Sequence, residues 1–201
     1  MKPLTLDDLI PLDEYIAERR EHMSAAGRYL DRYRRVRIGP QVTLIFENRQ
    51  TLWFRIHEVL RVARLSEPAL VQVELDRFNT LLPGPGCLQA ALHIDLPDGA
   101  AWREQIEYWG SLPDSGLNLR TAAGDAAARF VTNRPEDRAF GIDHWVEFSP
   151  DGNVRAALAD RRKPASLAIA HREYRHDSGN LSETIRQSLT DDIRLSEREA
   201  A

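Results

Sequence analysis

The chain has almost no cysteine. Its 201 residues hold one, Cys87, which excludes an intrachain disulfide and any zinc or iron–sulfur centre built on a set of thiolates. Long apolar runs are also missing, and none approaches the ~18–20 residues of a membrane-spanning helix. The first residues, Met1-Lys2-Pro3-Leu4-Thr5-Leu6-Asp7-Asp8, carry acids early and lack the apolar centre of a signal peptide. A reducing cytoplasm is the expected setting. No excess of one charge is present either. Lys and Arg number 27 against 31 Asp and Glu, for a net charge of −4 and a pI near 5.9. No global field therefore recruits nucleic acid or an anionic membrane. Phosphate-cradling loops, the Gly-x-Gly-x-x-Gly turn and the Gly-x-Ser-x-Gly elbow are absent. That disfavours nucleotide hydrolysis, dinucleotide redox chemistry and the usual serine hydrolase.

What is present is enough apolar material, 42% of residues, for one domain over residues 1–201. Thr5 to Asp8 fits a capping box, and a long helix follows Pro11 to about Arg34. Its predicted buried stripe is Leu12, Ile16, Met23, Ala26, Leu30 and Tyr33. Val42 to Phe46 reads as a short strand. Asn48 suits the N-cap of a helix from Arg49 to about Leu65. Pro68 suits the first turn of the next helix, which carries Leu70, Val71, Leu75 and Phe78. Leu82 to Gly86 breaks the chain. Beyond it, Leu88–Leu96 alternates as a half-buried strand. Strands are also predicted over 117–120, 127–132, 142–148 and 166–170, with a mobile hairpin loop over 133–138. Helices are predicted over 100–109, 150–158 and 182–195. The expected architecture is α+β, with a helical half (residues 1–83) packed on a mostly antiparallel sheet from the strand-rich half (84–201).

Candidate chemistry concentrates on the helix after Asn48. A helical wheel puts Leu52, Ile56, Val59, Leu60 and Ala63 on one face and His57, Arg61 and Arg64 on the other. Glu58 lies three residues from both Arg55 and Arg61, a spacing that pairs charges on a helix. The bland reading is a surface ion-pair ladder. The functional one is an anion-binding set of Arg49, His57, Arg61 and Arg64, with Glu58 orienting an arginine and Asn79 donating from the helix exit. Five arginines between Arg28 and Arg37, interleaved with Tyr29 and Tyr33, have the make-up of a nucleic-acid grip. The acidity of the whole chain argues against that, and a basic last helical turn accounts for them.

A metal site is the alternative. His93, Asp95 and His144 offer the two-histidine, one-carboxylate set of non-haem iron oxygenases, and His171 with Glu173 is a second possible ligand pair for Fe(II) or Zn(II). The oxygenase fold needs about eight strands, more than the pattern yields, so no cofactor is favoured. Cys87 reads as a spectator thiol.

A series of residues along nearly the whole chain resembles the domain of unknown function 3501 family of bacterial proteins. It comprises Leu4-Thr5 with Asp8-Leu9, Gly39-Pro40, Phe46-Glu47 with Arg49 and Thr51, and Glu58 with Leu60-Arg61. It continues with Glu74-Leu75, Phe78-Asn79, Leu81 and Pro83, then His171, Tyr174, Arg186, Leu189 and Asp192. The chain departs from the pattern at His57, Val59 and Ala63. The resemblance implies an accessory or binding role beside rubrerythrin-like di-iron proteins and iron–sulfur proteins. It assigns no activity, substrate or oligomeric state.

Overall fold

The computed structural model describes residues 1–96, 101–131 and 143–200. The predicted 133–138 loop lies outside them. Eight strands form one antiparallel sheet: β1 (Arg35–Ile38), β2 (Val42–Phe46), β3 (Leu88–Ile94), β4 (Leu117–Thr121), β5 (Gly124–Phe130), β6 (Asp143–Phe148), β7 (Ala165–His171) and β8 (Tyr174–Asp177). Their spatial order is β1-β2-β3-β6-β5-β4-β7-β8. The sheet curls until its two edges approach one another, making a nearly closed barrel. Tyr174 on β8 spans the gap. Its hydroxyl donates to the Ile38 carbonyl at 2.6 Å and accepts from the Gln41 and Val42 amides at 3.1 and 3.2 Å. Gly39, in the β1–β2 turn, has φ of +70°, and a Cβ there would stand 2.7 Å from that hydroxyl. Both facts require glycine at this turn.

Alternation along each strand fills the barrel. Val42, Leu44 and Phe46 point inward from β2, and Leu88, Ala90, Leu92 and Ile94 from β3. Among the described residues six α-helices accompany the sheet: α1 (Leu12–Tyr33), α2 (Arg49–Ala63), α3 (Pro68–Asn79), α4 (Trp102–Gly110), α5 (Gly152–Ala159) and α6 (Glu183–Ala200). Helix α6 sends Ile185, Leu189 and Ile193 into the barrel core, joined by Val154 and Leu158 of α5 and Trp109 of α4. A second core forms where Leu52, Ile56 and Leu60 of α2 meet Leu4 and Val71 and Leu75 of α3. Each such aliphatic side chain contributes about 1.5–3 kcal/mol by leaving water.

This arrangement corrects the expected division into a helical half and a strand half. β1 and β2 lie among the N-terminal helices, and helices α4, α5 and α6 lie beyond residue 100. The reason is range. β1 and β8 have only four residues each, too few for alternation to declare a strand, and their pairing partners are fixed by the closing sheet. Strand β3 is also buried on both faces, with Gln89 and Ala91 covered as well as its leucines, so it is more enclosed than its alternation suggested. Among the described residues, no helix is long and apolar enough to cross a membrane.

Candidate functional site

Helix α2 starts where Asn48 accepts hydrogen bonds from the Gln50 and Thr51 amides, both at 3.0 Å. It stops at Arg64, whose φ of 54° is left-handed. Helix α1 runs antiparallel along it. The side of α1 that faces α2 is not the aliphatic stripe expected from hydropathy. Ile16 and Met23 are exposed, whereas Tyr15 is fully buried. Tyr15, Arg19, His22 and Ala26, at helical spacing, make the seam. The polar tips of Tyr15 and Arg19 find partners on α2 while their apolar bodies pack, a pattern that hydropathy scores poorly.

Glu58 is the centre of this seam. Its carboxylate accepts from the Tyr15 hydroxyl at 2.9 Å, from Arg19 Nε and Nη2 at 2.9 Å each, and from Arg61 Nε and Nη2 at 3.2 and 3.0 Å. Arg19 foremost, with Arg61 and Tyr15 adding to it, holds the Glu58 carboxyl down at about 2. Burial and the adjacent carboxylate push the Tyr15 phenol up to about 12. Two guanidinium groups thus share one carboxylate, which leaves one net positive charge on a half-exposed surface. Among the described residues no acceptor takes the Nη1 groups of Arg19 or Arg61. Arg64 is exposed at the end of the same helix. Arg55, the other arginine in range by sequence, turns away to the barrel. There it pairs with the buried Glu47 at 2.8 Å and lies over the Trp145 ring.

The other sequence candidates have structural partners. His57 is buried, with Nδ1 donating to the Trp53 carbonyl at 2.7 Å and Nε2 accepting from the Ile10 amide at 3.2 Å. Burial pushes its pKa down, and the neutral ring serves as a link between α2 and the N-terminal segment. It therefore joins the buried face, while Ala63 is exposed, because residues before α1 fold over that side of α2. Arg49 pairs with Asp8 at 2.6 Å, which with the Thr5 bonds holds the Asp8 carboxyl down at about 2. Asn79 clips the N-terminal segment to α3, accepting from the Leu4 amide at 2.8 Å and donating to its carbonyl at 2.9 Å. The arginine run 28–37 does not form one surface. Arg34 is buried against Asp192, Arg35 pairs with Asp31, and Arg37 donates to the Gly39 and Pro40 carbonyls.

The candidate metal ligands are spread out. His144 lies opposite Leu92 across the β3–β6 pair and so faces the barrel interior. His93, one residue along β3, faces outward and stands 3.5 Å from Arg55. Asp95 is exposed beyond the strand end. His171, on β7, donates from Nε2 to the Tyr108 carbonyl at 2.7 Å, while its neighbour Glu173 is exposed in the β7–β8 turn. Among the described residues no three His, Cys, Asp or Glu side chains gather as metal ligands.

The family model for DUF3501, a protein of unknown function, matches residues 3–193. The chain belongs to the DUF3501 family. Its fold is similar to a crystal structure of a novel protein of unknown function from Burkholderia pseudomallei K96243. The TM-score is 0.85 at 24% identity, covering 96% of this chain and 100% of that one. No curated protein matches. Set against this fold, many of the residues that carried the family resemblance act as staples. Asp8 with Arg49, Asn79 with Leu4, Tyr174 with the β1–β2 turn, and Asp192 with Arg34 each join segments distant in the chain. Glu58 also joins two helices, with Arg61 beside it on α2, but on a surface open to solvent.

Proposed function

We propose that this DUF3501 protein is an accessory binding module whose α1–α2 seam takes an anionic group of a partner. Arg19 and Arg61 supply the charge-assisted donors, and Arg64 adds a cation at the helix end. Glu58 and Tyr15 hold the two guanidiniums in place before binding, which lowers the ordering cost of recognition. The observation that carries the reading is the sharing of one carboxylate by two arginines with free Nη1 edges. His57 and Asn79 belong to the scaffold beneath that surface, not to the contact itself. The partners implied by the family resemblance are rubrerythrin-like and iron–sulfur proteins, in a cytoplasmic setting that suits a chain with one cysteine.

Capture from native lysate, with elemental analysis of the eluate, tests this. The wild-type chain is expected to retain a partner that Arg19→Ala and Arg61→Ala each lose while melting like the wild type. Iron is expected in the wild-type eluate alone. Equal capture of the same partner by Arg61→Ala would sink the proposal, and a partner without iron would remove the redox context.

A further inference from the structure

We propose that the surface around Arg19 and Arg61 is a docking face for one α-helix of a partner protein, an amphipathic helix that carries a carboxylate between two apolar side chains. This rests on the reading above and names the element that brings the anionic group.

The apolar stripe that hydropathy marks on α1 is left largely outside the fold. Leu12, Ile16, Met23 and Leu30 follow one another at intervals of four, seven and seven residues, the spacing of a seam that packs on another helix. Arg19 stands in the same seam, three residues after Ile16 and four before Met23. The contact with α2 is made one position to the side, through the fully buried Tyr15. Ile16 and Met23 are left 49% and 42% exposed, and Val62, one turn beyond Glu58 on α2, is 70% exposed. The Arg19–Glu58 pair holds α1 and α2 side by side at this point, so the three apolar side chains lie around the paired arginines. Apolar residues gathered in this way mark a protein contact, whereas the same residues scattered singly would mark nothing.

The cations at the centre are reachable. The Arg19 and Arg61 side chains keep 42% and 29% of their surface, and they share one carboxylate, that of Glu58. Arg20 is exposed and, four residues from Ile16 and three from Met23, belongs to the same face. Three guanidiniums against one carboxylate leave an excess of positive charge there. Ile16 and Met23 are two helical turns apart, about 10.5 Å along the axis, which is the repeat of apolar anchors on a facing helix. A Glu or Asp midway between such anchors comes opposite Arg19 and takes charge-assisted hydrogen bonds from the solvent-open guanidinium edges. A second copy of this chain does not fit. Two-fold pairing of this face would set Arg19 and Arg20 against their own copies, and like charges so placed repel.

Photo-crosslinking in native lysate tests this. The full chain carries p-benzoylphenylalanine in place of Ile16, which keeps an apolar side chain there, and the crosslinked peptide is sequenced. The crosslink is expected in a helix-forming segment with a Glu or Asp three or four residues from apolar side chains on both sides. That segment, made as a synthetic peptide, is expected to gain helical circular dichroism on binding the chain. Ile16→Gln, Met23→Gln and Val62→Gln, which keep helix propensity, should each weaken the peptide about tenfold. Replacing the acidic residue of the peptide by its amide should also weaken it about tenfold. If Arg61→Ala weakens the peptide and the three glutamine variants do not, the docking helix is overturned while the arginine reading stands. A crosslink to a loop, a strand, a nucleic acid or a second copy of the chain also overturns it. If nothing is crosslinked or captured, both fail.

Discussion

Replacing Tyr174 with Phe removes one oxygen atom and tests whether the barrel is closed by that atom. The ring itself packs against Trp109 and His176, and phenylalanine keeps that packing. The hydroxyl serves three backbone groups of the β1–β2 hairpin: the Ile38 carbonyl and the Gln41 and Val42 amides. Ile38 and Val42 are fully buried, so water cannot replace the lost bonds there, whereas Gln41 is half-exposed and water can. The Ile38 carbonyl and the Val42 amide also face each other as the last pair of the β1–β2 ladder, so each loses a second partner and not its first, at about 0.5–1.5 kcal/mol per bond. Two such buried bonds give an expected loss of about 1–3 kcal/mol. For a chain of this length that corresponds to a fall in Tm of roughly 2–12 °C. Urea unfolding followed by circular dichroism gives the free energy, and amide exchange gives the location. Val42 should lose protection more than residues in β4 or β5 do. A change below about 0.5 kcal/mol, the size of an ordinary surface substitution, would refute the closure argument. So would a loss of protection spread evenly over the sheet.

Other outcomes follow from the same contacts. Arg186 is buried and donates to the carbonyls of Ala157, Leu158, Asp160 and Lys163 around the end of α5. Arg186→Leu should cost about 3 kcal/mol in denaturant titration, and Arg186→Lys should recover only part of it, because an ammonium cannot reproduce the planar fork. Acid should destabilise the fold in two steps. His57 has a folded pKa pushed below its ordinary value of 6.5, so its contribution is full above that pH and is lost as pH falls through the depressed folded value. Glu58, held at about 2 against an ordinary 4.5, contributes fully above 4.5 and loses that contribution as pH falls toward 2. After allowance for solvent screening of this half-exposed cluster, the second step is about 1–2 kcal/mol. Stability measured against pH should lose that step in Glu58→Gln, and an unchanged profile would contradict the geometry of the seam. Asn79→Leu should release Leu4 from α3 and expose the N-terminal segment to protease, which limited digestion would show.

Local signals in the chain were sufficient for the elements with strong periodicity or strong caps. Asn48 caps α2 through its side chain, as its position before Arg49 suggested. Pro68 opens α3, and Leu92 and Ile94 share the inward face of β3. The pairing of Glu58 with Arg61 was also legible, since three residues on a helix bring two side chains together. The other half of that cluster was not. Tyr15 and Arg19 lie about forty residues upstream, and the hydropathy of α1 pointed to Ile16 and Met23 on its exposed side instead. A stripe of Tyr, Arg, His and Ala at positions 15, 19, 22 and 26 was the available signal. It was hidden because amphipathic residues count as polar when their bodies are buried.

Composition and short-range spacing by themselves determined the helices and the absence of a disulfide framework, and the family showed only as a resemblance carried by residues in order along the chain. Those properties depend on which residues are present and on neighbours within a turn or two. The tertiary structure alone decided that the strands close into a barrel, that His57 and Asn79 are internal staples, and that two arginines from different helices meet on one carboxylate. Each of these depends on contacts between groups tens of residues apart, whose desolvation and charge balance exist only after the chain has folded.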